Sequence, residues 1–228
     1  MANRTTIPNQ VFIGLPWKNV RRRFERVIDR LQIRSPLSYV IVGRGDDQDA
    51  EDLLEVIKSK LENSSYAIFD ATTGNANVSL EYGYAEAKNI PRVLYMSSHK
   101  AAHRSKDPSI ISDLAGKRRN QYSNEGSLFS LMQDFSARHP YTQRFEKALT
   151  REFRHQKKGA KKRSRALALK VIHALDGQSD VRRDDLVERL RADAVGYAQG
   201  EVDEMIKRLH KTRLIYVERG RYSRVLIA

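Results

Sequence analysis

The stretch "FDATTGNANVSLEYGYAEAKN", residues 69–89, concentrates the side chains able to do chemistry. It holds one carboxylate, Asp70, at the end of an apolar run, then a polar turn, then a second carboxylate, Glu81, in the first turns of a helix. A carboxylate there can stabilise an oxocarbenium centre electrostatically or trap it covalently, as breakage of a C1′–N bond demands. It can equally be a surface residue that complements the positive end of the helix dipole. Other chemistries fall away. With no cysteine the chain forms neither disulfides nor thiolate metal sites, which fits a reducing cytosol. The six histidines, His99, His103, His139, His155, His173 and His210, lack metal-ligand spacing and read as surface residues. No Ser-His-Asp order is recognisable.

The elements that must position these residues alternate apolar runs with amphipathic stretches: "VFIGLP", a helix from Trp17 to about Leu31, "SYVIVG", a helix near 50–62, "SYAIFDA", the questioned helix and "RVLYMS". That alternation predicts an α/β domain with a parallel, flavodoxin-like or Rossmann-like sheet. In the first helix Trp17, Val20, Phe24, Val27, Ile28 and Leu31 share one face, with arginines on the remainder. In the questioned helix Glu81 shares a face with Val78, Tyr84, Ala85 and Lys88, and the small Gly83 and Ala85 let the helix lie close to the sheet. A short helix around 110–114, an edge strand near Tyr122 and a helix over about 127–137 complete the domain. Ligands of such sheets sit outside the carboxyl ends of the strands, where strand order reverses. Three segments fall there: "GLPW" with Gly14 and Trp17, "GRGDD" with Gly43 and Gly45, and "DATTGNAN" with Asp70, Gly74 and Asn77. The glycines permit close backbone approach to a ligand, but none forms a Walker loop or a GxGxxG fingerprint. Asn77 either contacts ligand or N-caps the helix. Trp17 either stacks on a base or packs in the core.

The second half follows a different pattern. "REFRHQKKGAKKRSR" carries eight Lys/Arg and reads as the exposed end of a helix running into a linker. Three amphipathic helices and two short strands around a Gly-containing turn then predict a winged helix-turn-helix. The expected domains are therefore 1–150, a basic linker over 151–164 and a winged helix over 165–228. The formal net charge is +14, and residues 151–228 hold 20 Lys/Arg against 11 Asp/Glu. Such an excess favours polyanionic partners, because cations that meet phosphates release condensed counterions. Candidate phosphate contacts are Lys157, Lys158, Lys161, Lys162 and Arg163 of the linker, Lys207, Arg208 and Lys211 of the third helix, and Arg219, Arg221 and Arg224 of the wing. Against them, Glu201, Asp203 and Glu204 occupy the turns of the third helix that usually approach base edges. No run is apolar enough to span a bilayer, and "MANRTTIPNQ" lacks the pattern of a signal peptide, so neither membrane insertion nor export is expected.

The strings "VFIGLPW", "YAIFDATTGNANVSLEYGYAEAKNIPRVLYM" and "ISDLAGKRRNQY" together resemble the nucleoside 2-deoxyribosyltransferase-like and TIR-like nucleotide-binding superfamily, over roughly residues 10–137. The most specific part is a strand ending in Asp, a short polar loop, then Asn-Val-x-x-Glu-x-Gly-x-Ala. The resemblance implies an N-glycosidase acting on a nucleoside, a nucleotide or NAD, as substrate rather than cofactor, with Glu81 as the catalytic carboxylate. It further implies that Asp70 binds ribose or base; a loop carboxylate capping the turn is the alternative. Two departures leave the substrate open: "IGLPW" lacks the usual first-strand aromatic of deoxyribosyltransferases, and the setting of Glu81 differs from that of TIR enzymes. The domain pair resembles bacterial stress or anti-phage effectors, such as those accompanying retrons. A nucleotide-sensing DNA-binding regulator and a protein-docking scaffold are the competing expectations.

Overall fold

The computed structural model describes residues 6–16, 20–42, 53–72, 74–98, 119–175, 181–193, 197–218 and 224–227. By its contacts the chain forms two compact units, one of residues 1–31 and 39–135, the other of 32–38 and 136–228. The expected boundary at 150 thus lies earlier in the chain. The second unit also takes in the seven residues 32–38: Ser35 Oγ meets Ser136 Oγ at 2.6 Å, and a His173 ring nitrogen meets the Ser35 carbonyl at 2.9 Å.

In the first unit the order is β1 (Ile7–Gly14), α1 (Arg21–Gln32), β2 (Ser38–Val40), α2 (Leu53–Glu62), β3 (Ser64–Asp70), α3 (Ala76–Ala87), β4 (Arg92–Ser97), β5 (Arg119–Tyr122) and α4 (Glu125–Arg138). The five strands form one sheet in the order β2-β1-β3-β4-β5, with β1–β3, β3–β4 and β4–β5 parallel. Alternate strand residues feed two opposite cores. Phe12, Ala67 and Phe69 meet Leu61 of α2 and Val78, Tyr82 and Ala85 of α3. On the other face Phe24 of α1 stands edge-on to Tyr122, and Phe135 of α4 edge-on to Tyr66. The stripe expected on α1 is buried at Val20, Phe24, Val27, Ile28 and Leu31, each at most 2% exposed. Arginines of the opposite face, Arg26 and Arg30, pair with Glu125. Trp17, Gly43, Gly45, His99, His103 and the expected helix at 110–114 lie outside the described residues.

The second unit continues with α5 (Pro140–Glu152), α6 (Lys158–His173), β6 (Val181–Arg182), α7 (Arg183–Asp193), α8 (Gln199–Lys211), β7 (Ile215–Glu218) and β8 (Arg224–Ile227). Its sheet is antiparallel in the order β6-β8-β7. Residues 158–164, expected as linker, are the first turns of α6. Lys and Arg are good helix formers, and the buried Leu167, Ala168, Val171 and Ile172 anchor the helix from which these turns extend backward. His139 is not a surface residue: it is 5% exposed and N-caps α5, its Nδ1 accepting from the Tyr141 amide at 3.2 Å. Among the described residues no helix is long and apolar enough to cross a membrane.

Burial holds His139 near a pKa of about 4, below its ordinary value of 6.5. The unfolded chain therefore binds a proton that the folded chain refuses as pH falls from about 6.5 to 4, and stability drops over that window. Urea unfolding at pH 7 and pH 5 should show wild type losing on the order of 1–2 kcal/mol more than His139→Asn, which keeps a capping acceptor without the titration.

Candidate functional site

Order 2-1-3-4-5 places the reversal between β1 and β3, so the crevice lies over Gly14 and Asp70. Asp70 does not face that crevice. It is fully buried, one oxygen accepting from the Thr72 amide at 2.9 Å and the other from the Tyr122 hydroxyl at 2.6 Å. Thr72 Oγ1 in turn accepts from the Ser97 amide at 2.9 Å, so one polar network joins the ends of β3, β4 and β5. Burial raises the Asp70 pKa, and the bonds from Thr72 and Tyr122 pull it back. Of the two expectations for Asp70, these are the contacts of the turn-capping one.

The capped turn leads through Gly74, whose φ of 68° is the left-handed region that favours glycine, into α3. Asn75, not Asn77, is the N-cap: its Oδ1 accepts from the amides of Asn77 at 2.9 Å and Val78 at 3.3 Å. Asn77 is the second helical residue and its side chain is exposed. The sequence offered Asn77 as the cap, two residues too late. The phase of the buried Val78, Tyr82 and Ala85 is the signal that places it. Ala85 is fully buried and gives the close helix-to-sheet approach, whereas a Cβ on exposed Gly83 would meet nothing within 4 Å.

Glu81, on the second turn of α3, turns its carboxylate onto the end of β1. An ideal Cβ on Gly14 would lie 2.6 Å from Glu81 Oε2 and 2.4 Å from the Phe69 ring. Gly14 is therefore required for the carboxylate to rest there. On its other side Glu81 borders an apolar groove of about 100 Å³ between α2 and α3, walled by Leu54, Ile57, Leu61, Leu80 and Tyr84. Glu62 binds the two helices at the groove's far end, accepting from Tyr84 and pairing with Lys88 at 2.7 Å. Glu81 has no hydrogen-bond or ion-pair partner among the described residues. Desolvation pushes its pKa from 4.5 to about 7. Gly14 and Glu81 thus meet at the crevice, Gly74 lies in the turn that leads into α3, and Thr72, Asn75 and Tyr122, which the sequence did not single out, hold its frame.

The basic candidates divide. Lys157, Lys158, Lys161, Lys162, Lys207 and Lys211 are exposed. Arg163 of α6 pairs with Glu201 of α8 at 3.1 Å, and Arg208 pairs with Glu204 at 2.9 Å, so two acids at the front of α8 are met from within. Arg219 and Arg221 lie outside the described residues, and Arg224 opens β8. Among the described residues no group of three or more His, Asp or Glu could hold a metal ion. No family model matches the chain, and no curated protein does.

Glu81 binds a proton more readily folded than unfolded, so it favours folding below about pH 4.5 and opposes it progressively as pH rises through about 7. Glu81→Gln should raise unfolding free energy at pH 8 by on the order of 2 kcal/mol, the gain vanishing near pH 4.5. Gly14→Ala should destabilise by roughly 1–3 kcal/mol, since the added methyl overlaps Phe69 and the carboxylate.

Proposed function

We propose that the first unit is an N-glycosidase that cleaves the C1′–N bond of a nucleoside, a nucleotide or NAD, with Glu81 as its catalytic carboxylate. The observation that carries the reading is a desolvated carboxylate resting on Gly14 at the strand-order reversal, beside an apolar groove. A carboxylate in a crevice whose proton affinity burial raises is a candidate functional group. In the reaction the electron pair of the C1′–N bond leaves with the base; a nucleoside or nucleotide base takes up the proton that the attacking water loses, whereas nicotinamide leaves already neutral and that proton passes to solvent. The ionised Glu81 stabilises the oxocarbenium centre or bonds to C1′, and water supplies the oxygen that C1′ finally keeps. Gly14 and Gly74 bring main chain close to the sugar and any phosphate, and the amides opening α3 favour anionic groups. Asp70 acts at one remove, by fixing the loop that launches α3.

The second unit is read as a winged helix-turn-helix that binds nucleic acid. What supports this is the order of α6, α7 and α8 followed by the antiparallel β7–β8 pair, on a basic segment. The combination suits an effector of bacterial stress or phage defence.

Incubation with NAD, nucleosides, nucleotides and DNA, followed by chromatography with mass detection, should show base or nicotinamide release by wild type. Glu81→Gln should lower it at least about a hundredfold while melting cooperatively. Because the ionised form acts, the wild-type rate should climb through about pH 7 to a plateau. Absent release, with ligand-shifted melting retained, would instead support a nucleotide-sensing regulator.

A further inference from the structure

We propose that the second unit grips the sugar-phosphate backbone of duplex DNA with the first two turns of α6, independently of base sequence, and that α8 is not its principal contact; this rests on the nucleic-acid reading above. Residues 157–163 are exposed without interruption. Within them Lys157, Lys158, Lys161 and Lys162 have no anionic partner among the described residues, and Arg163 alone is paired. No acidic residue occupies the first turn of α6 and no side chain caps it.

This arrangement works against the helix itself, because cations gathered at the positive end of the helix dipole repel it and one another. A local choice that opposes stability without compensation within the fold is the mark of a functional surface. The face of α8 differs. Its Lys207, Arg208 and Lys211 are offset by Glu201, Asp203 and Glu204, and two of those acids hold arginines in ion pairs. Among the described residues the opening of α6 carries four lysines without an anionic partner, whereas on α8 Lys207 alone lacks one, Arg208 pairing with Glu204 and Lys211 with Glu152 at 3.7 Å.

The chemistry of the patch identifies its partner. In the second unit the large apolar side chains exposed among the described residues are Ile33 and Tyr216, neither of them on α6. A protein partner or a lipid surface would need apolar anchorage beside the lysines, whereas a phosphate polymer needs charge alone. A protruding helix 10–12 Å across matches the edges of a B-form major groove of about 12 Å, while the A-form groove is too narrow to admit it.

The test measures fluorescence anisotropy of the full chain with two 20-base-pair DNA duplexes of unrelated sequence, from 50 to 200 mM salt. Wild type is compared with Lys157→Gln/Lys158→Gln/Lys161→Gln/Lys162→Gln and with Lys207→Gln/Lys211→Gln. The α6 variant should keep a melting temperature at or above wild type and bind both duplexes at least about tenfold more weakly. Its slope of log affinity against log salt should be shallower by about 3. The α8 variant should change affinity less than about threefold. Wild-type binding that survives the α6 substitutions, that is lost with the α8 ones, or that differs strongly between the duplexes would overturn the α6 assignment alone. Absence of wild-type binding would overturn the nucleic-acid reading with it, and base release by the first unit would be untouched by either result.

Discussion

The first unit depends on one buried carboxylate that cannot be left unsatisfied. Asp70 ends β3 with no access to solvent, and it is tolerated because the Thr72 amide and the Tyr122 hydroxyl both donate to it. Those bonds fix the course of the chain out of the sheet. The network passes through Thr72 to the Ser97 amide, so three adjacent strand ends are set in register by one cluster of polar groups. Gly74 and the Asn75 cap then give α3 a defined start, and the start of α3 determines where its second turn delivers Glu81.

Glu81 is the opposite case. It is half-buried, the described residues supply it no donor, and desolvation raises its proton affinity. Two carboxylates eleven residues apart in sequence have therefore been assigned different work by their surroundings. One is satisfied and structural. The other is desolvated over Gly14, where main chain approaches closely enough that even a methyl would displace it. In the second unit the same logic appears at the surface, where Glu201 and Glu204 have partners and the lysines opening α6 have none among the described residues.

Much of this was legible in the sequence because periodicity reports burial. The stripe of α1, the apolar strands and the sharp turn before α3 each follow from local pattern, and Glu81 stood out as the carboxylate behind that turn. What escaped was settled by distant partners. Asp70 could be recognised as structural only once Tyr122, 52 residues away, was seen to donate to it. The inclusion of residues 32–38 in the second unit depends on Ser136 and His173, which no local window contains. Residues 158–164 looked like linker because charge density resembles coil, yet the apolar repeat that follows makes them helix. His139 sits in polar sequence, and its burial arises from the cap it provides to α5.

The candidate site depends on a desolvation of Glu81 that leaves it near half-ionised at neutral pH. That desolvation is tested most directly by a carbon-13 titration of the glutamate side-chain carboxyls in the intact chain, with the Glu81 signal assigned by its loss in Glu81→Gln. A midpoint near 7, well separated from the other glutamates, is the result expected. A midpoint near the ordinary value of 4.5 would mean that water or an unrecognised donor reaches the carboxylate, and the site as described would be contradicted.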